Sequence, residues 1–225
     1  MAILEIAQIK LKNDPALIKE VEEDVMPGFN VTLQKFGARN MLRGYIVTEN
    51  GRDVREERRL VLVLEWLAVE DFKNLVASAS FLEVVGKLKE RYTDGPGGPK
   101  LFEVDGGLSS LFGSDTVLEY LVIKPKDASE AGLKSVLQKI QSRLPQPGTA
   151  QVAVGSSVNS ETQEIALVSL YPSDARELEA FTDNSMHTQE LNASTIRQQV
   201  LADIADAADV TSLVMHVKKQ FPLAE

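Results

Sequence analysis

Apolar and polar positions along the chain fall into short runs of strand character separated by longer runs of helical period. Ile3 to Leu11, rich in β-branched and apolar residues, predicts a strand. Asn13-Asp14-Pro15 then opens a helix, because Asn13 or Asp14 can accept from free N–H groups and Pro15 suits the first turn. Leu17, Ile18, Val21 and Val25 form its apolar stripe, Pro27-Gly28 interrupts it, and Phe29, Thr32, Leu33 and Phe36 resume it. Leu42 to Glu49 and Arg59 to Trp66 predict a long hairpin, with Asn50-Gly51 as a turn signal. Phe72, Leu75, Val76 and Ala79 make one helical stripe; Phe81, Val84, Val85 and Leu88 make another. The step between the two breaks phase and places a kink near Ser78-Ala79-Ser80. After the irregular segment Thr93 to Pro99, Lys100 to Val104 closes a β-α-β-β-α-β order, the ferredoxin-like arrangement.

The glycine-rich stretch Asp105 to Asp115 reads as a linker, and the order then repeats. Val117 to Lys124 matches Ile3 to Lys10, with Leu4 and Leu118, Glu5 and Glu119, Ile9 and Ile123, and Lys10 and Lys124 coinciding. Leu133, Val136, Leu137, Ile140 and Leu144 stripe the next helix. Ala150 to Val154 and Glu164 to Tyr171 form a second hairpin. Leu178, Phe181 and Met186 stripe a helix after it, and Ala193 to Ala205 adds another. Thr211 to Lys218 closes as the last strand. Agreement in order across half a chain points to duplication. The expected division is residues 1–105, a linker at 106–115, and residues 116–225. The two glycine-rich segments, Thr93 to Pro99 and Asp105 to Asp115, are expected to be the most mobile.

Each unit has a strand ending in an aromatic residue (Trp66, Tyr171), and in the first a helix follows through Leu67-Ala68-Val69-Glu70-Asp71-Phe72. With the doubled order, this resembles the dimeric α/β-barrel superfamily, and within it the antibiotic-biosynthesis-monooxygenase group in tandem form. The resemblance covers nearly the whole chain. It implies an α+β fold of two ferredoxin-like units packed sheet to sheet around a lumen, both sheets coming from one chain. It also implies a choice among cofactor-independent oxygenases on aromatic polyketides, cyclases, decarboxylases, heme degraders and proteins without activity; fold alone does not choose. Heme degraders of the group carry an Asn on the first strand and a His about three helical turns after the tryptophan. Ala7 and Gln8, and then Val76, stand there instead, with Phe181 in the second half, which speaks against heme degradation. No cofactor is expected.

The net charge of −9 disfavours nucleic acid and anionic membranes. The single basic run, Arg52 to Arg59, interleaves both signs and reads as a solvated loop. There is no cysteine, so thiolate chemistry and Cys-based metal sites are excluded, and a cytoplasmic protein is expected. The N-terminus lacks a basic signal-peptide region, and no stretch reaches membrane-spanning length. No Gly-rich phosphate loop precedes a helix. His187 and His216, far apart and without paired carboxylates, give no metal signal; His187 reads as a surface residue.

Alternation along the last strand assigns Leu213, Met215 and Val217 to the helices and Ser212, Val214 and His216 to the lumen. The same parity sends Glu5, Ala7 and Ile9, Arg43, Tyr45 and Val47, Val61, Val63 and Glu65, and Glu119, Leu121 and Ile123 to the lumen, with Glu103 able to join. His216 is then the expected general base, Arg43 the holder of an enolate or carboxylate, and Tyr45 the oxyanion donor. Glu5, Val63, Glu65, Glu119 and Val214 are expected to bind substrate. The partner is a small molecule, with a homodimer open. Trp66 and Tyr171 read as core anchors. Two hypotheses stand: a cofactor-independent tailoring enzyme acting on an aromatic metabolite, or a binding or structural module whose lumen is filled by its own side chains.

Overall fold

The computed structural model describes residues 2–94, 98–104, 116–144, 152–159, 163–172 and 188–221. The 106–115 linker, His187, and the Leu178, Phe181 and Met186 stripe lie outside them, as does part of the Thr93 to Pro99 segment.

In the first half β1 (Ala2–Lys10) leads to α1 (Pro15–Glu20) and α2 (Met26–Lys35). Asp14 caps α1 by accepting from the Ala16 and Leu17 amides. A π-turn at Val21–Val25 joins α1 to α2, Met26 N–H reaching Val21 O. That wider turn lies just before Pro27, where a regular helix would lose a hydrogen bond. Next come β2 (Asn40–Glu49), the two-residue β3 (Arg52–Asp53) and β4 (Arg59–Trp66). The second helical stretch divides, as the phase break predicts, into α3 (Val69–Val76) and α4 (Ala79–Lys87). Ser78 Oγ caps α4 by accepting from Phe81 N at 3.2 Å. A π-turn at Leu88–Tyr92 follows, then β5 (Pro99–Val104). The second half supplies β6 (Thr116–Pro125), α5 (Glu130–Gln141), β7 (Val152–Ser157), β8 (Ile165–Pro172), α6 (Thr188–Ile204) and β9 (Ala208–Phe221).

Each half orders its four main strands alike: β5-β1-β4-β2 and β9-β6-β8-β7, all neighbours antiparallel. The halves then join edge to edge, β2 pairing with β9 and β5 with β7, so eight strands close into a barrel. The two expected sheets thus form one barrel with hydrogen-bonded seams. A glycine stands at each. A Cβ on Gly44 of β2 would overlap the His216 carbonyl, and one on Gly155 of β7 would overlap the Glu103 carbonyl.

The barrel interior is filled. Leu4, Ile6, Leu42, Ile46, Phe102, Tyr120 and Met215 meet there among other buried side chains of both halves. Helices cover the outside as two further cores, Leu60, Leu62, Leu64 and Trp66 belonging to the first and Leu121, Ile123 and Leu167 to the second.

This corrects the facing of most residues expected in the lumen. Of the third strand the assignment holds: Val61 and Val63 are interior. On β1, β2, β6 and β9 the parity is reversed. Leu213, Met215 and Val217 point inward, which leaves Val214 and His216 on the outer face. Leu42 and Ile46 point inward, leaving Arg43 and Tyr45 outside; Leu118 and Tyr120 do so on β6, leaving Glu119 on the helix side. Glu5, likewise, shares the helix side with Ile3 and Ala7. On β1 and β6 both alternate sets are largely apolar, so periodicity cannot tell barrel interior from helix layer; on β2 and β9 the polar Arg43, Tyr45 and His216 lie on a partly exposed outer face, and the wholly apolar set is the one the barrel encloses.

Candidate functional site

A cavity of about 320 Å³ opens between the outer face of the first half's sheet and its helices. Glu5, Ala7 and Ile9 of β1 and Leu62 and Leu64 of β4 form its floor. Phe29 and Leu33 of α2, Val76 of α3 and Phe81 and Val85 of α4 form its walls, and Gln8, Leu88, Lys89, Thr93, Gly98 and Pro99 its remaining border. Phe29 and Phe81 meet with ring centroids 5.9 Å apart, bracing α2 against α4. An apolar concavity carrying one or two polar groups is the usual form of a small-molecule site.

Glu5 is the chemically distinctive group. It is 6% exposed. Ile3 pairs with Trp66 and Glu5 with Leu64, so Trp66 is a diagonal neighbour of Glu5 on the same face. Trp66 Nε1 donates to Glu5 Oε2 at 2.7 Å, and the indole, itself fully buried, stands edge-on to Phe72. Burial pushes the Glu5 carboxyl up to about 7, the Trp66 hydrogen bond working the other way. A group with that value can take up and return a proton at neutral pH.

The corresponding carboxylate of the second half is differently placed. Glu119, 2% exposed, accepts from Arg197 Nε at 2.7 Å and from Ser212 Oγ at 2.8 Å. Glu5 thus faces a mainly apolar cavity, and Glu119 is tied into an ion pair between β6, α6 and β9.

His216, Arg43 and Tyr45 are brought together, but on the outer face of the β2–β9 seam and away from the lining of this cavity. His216 pairs with Tyr45, and Lys218 with Arg43. Tyr45 Oη donates to Glu22 Oε1 at 2.6 Å; burial and that carboxylate both raise the phenol. Burial lowers Arg43, against the nearby Glu22. His216 is exposed, and partial burial with the Arg55 charge holds it below the ordinary histidine value. Val214 is buried on the outer face of β9 and Val63 in the barrel interior. Glu65 is buried and accepts from Asn40 Nδ2 at 2.6 Å. Of the residues expected to touch substrate, only Glu5 lines the cavity.

Among the described residues no group of three or more acidic or imidazole side chains is placed to hold a metal ion, and no helix is long and apolar enough to cross a membrane.

No family model matches the chain, and no curated protein matches it by sequence. Solved structures do match it. A monooxygenase candidate from Fusobacterium nucleatum is 12% identical over 99% of this chain and 96% of its own, with a TM-score of 0.55. An anthrone oxidase-like protein is 14% identical over 100% and 96%, with a TM-score of 0.55. The chlorite dismutase of Candidatus Nitrospira defluvii is 12% identical over 96% and 91%, with a TM-score of 0.53. At these identities the likeness is one of fold.

Proposed function

We propose that this chain, a dimeric α/β barrel with both sheets in one polypeptide, binds a small apolar, aromatic molecule in the cavity beneath α2 and α4 and moves a proton at Glu5. One observation carries the reading: a nearly fully buried carboxyl group, pushed up to about 7 by that burial, faces a mainly apolar cavity whose other polar lining residues are Gln8, Lys89 and Thr93. Its carboxylate form would take the proton from a weakly acidic C–H beside a carbonyl, leaving an enolate whose charge the cavity holds close to the new carboxyl O–H. Proton removal of this kind opens both oxygenase and cyclase chemistry in an antibiotic-biosynthesis-monooxygenase-like tailoring enzyme. The fold likeness to an anthrone oxidase-like protein and a monooxygenase candidate supports that class. In this reading Glu5 is the reacting residue, and His216, Arg43 and Tyr45 stand outside the site.

Anthrone, three fused rings with an acidic methylene, is the probe. Calorimetric titration is expected to give one site per chain, lost when Val85→Phe fills the cavity and kept in Glu5→Gln. Binding that ignores Val85→Phe would place the ligand elsewhere.

A second reading has its own observation. The barrel interior is packed with side chains, as expected for a binding or structural module. As a structural module it predicts no saturable anthrone binding, and as a non-catalytic binder it predicts binding without proton exchange at Glu5.

A further inference from the structure

Trp66 has the position of a core anchor, at the end of β4 and against Phe72, yet its one polar atom is spent on Glu5. We infer that Trp66 is the positioning residue of Glu5: its indole N–H fixes the carboxyl group at the cavity floor and favours the charged form. The inference rests on the reading of Glu5 as the reacting group.

Three observations carry it. The hydrogen bond is short, at 2.7 Å, and both partners are buried, so water does not compete with it. The indole is held on one side by Phe72 and by its diagonal place in the β1–β4 pair, which leaves the N–H little freedom to turn away. The remaining surroundings offer Glu5 little else. The cavity residues from α2, α3 and α4 are apolar, and Lys89, in the π-turn after α4, is the one other charged side chain among those that line it. The second half shows the contrast: there the glutamate of the first strand, Glu119, is met by the Arg197 guanidinium and the Ser212 hydroxyl instead of by an indole. An indole N–H is a neutral donor without acceptor capacity, so it orients the carboxylate without neutralising it.

The experiment is a titration of Glu5 in the intact chain, followed by the side-chain carboxyl carbon resonances of ¹³C-labelled glutamate and assigned with Glu5→Gln. In the wild type the midpoint is expected near 7. In Trp66→Phe, which keeps a ring and removes the donor, it should move upward by about one pH unit or more. A tryptophan with a merely structural role would lower stability and leave the midpoint where it was, and that result overturns the inference. Should Trp66→Phe not fold, the wild type suffices. Trp66 is the only tryptophan, so its emission should change through the Glu5 titration and lose that transition in Glu5→Gln. No transition in the wild type, or one that survives Glu5→Gln, refutes the coupling. Neither measurement uses a substrate, so a failure of the proposed function in anthrone binding leaves this result separate.

Discussion

Replacing Glu5 by glutamine should stabilise the protein at alkaline pH, by an amount the structure sets. The carboxyl group titrates at about 7 when folded against an ordinary 4.5, so the folded state holds its proton more tightly than the unfolded chain. The wild type therefore carries no penalty below pH 4.5, loses stability as pH rises from 4.5 towards 7, and carries the full penalty above it. That gap corresponds to about 3 kcal/mol. Glutamine removes the charge and keeps an oxygen for Trp66 Nε1, but its new N–H donors meet an apolar cavity, at a cost of about 1 kcal/mol. The net expectation is a gain of about 2 kcal/mol at pH 8, changing to a loss of about 1 kcal/mol at pH 4.5. Urea unfolding of both proteins at pH 4.5, 6 and 8 measures it, with m checked for constancy. A difference that is the same at all three pH values, or a loss at pH 8, refutes the argument that burial dominates at Glu5.

Gly44→Ala should cost about 3 kcal/mol or more, because a Cβ there stands 2.6 Å from His216 C and 2.8 Å from Val217 Cα, backbone that moves only if the β2–β9 seam parts; the urea midpoint reads it. Arg197→Ala should cost about 2 kcal/mol near neutral pH, the buried Glu119 keeping Ser212 but losing its guanidinium, which is itself partly exposed; thermal unfolding at low and high salt checks it. His216→Ala should change stability by less than about 0.5 kcal/mol and leave anthrone binding unaltered, since the ring is exposed on the outer face of β9; calorimetry that shows lost binding would return His216 to the site.

Much of the secondary structure is legible in the sequence because its signals are local. Asp14 before Pro15 and Ser78 at the phase break both cap helices as their chemistry requires. Which strand face looks inward is not legible, because Ile3, Leu4, Ile6 and Ala7 are apolar on both sides and a barrel buries both. The polar residues Arg43, Tyr45 and His216 suggested an inward functional face, whereas the inward set is the wholly apolar one, Leu42, Ile46, Leu213 and Met215. The partnership of Glu5 with Trp66 spans two strands far apart in sequence and depends on register, which no local pattern encodes. The cavity depends on how far α2 and α4 stand from the sheet, a packing result. One signal did exist for the seams: Gly44 and Gly155 interrupt strand interiors, where a glycine marks close approach of another backbone.

The central claim, that Glu5 takes a proton from a molecule held in the first half's cavity, is tested most directly by solvent-deuterium exchange into the methylene of anthrone, followed by mass spectrometry from pH 5 to 9. The account predicts exchange above the buffer rate that rises with pH through a midpoint near 7, persists in His216→Ala and falls to the buffer rate in Glu5→Gln, which still binds anthrone. Exchange by Glu5→Gln as fast as by the wild type would contradict it.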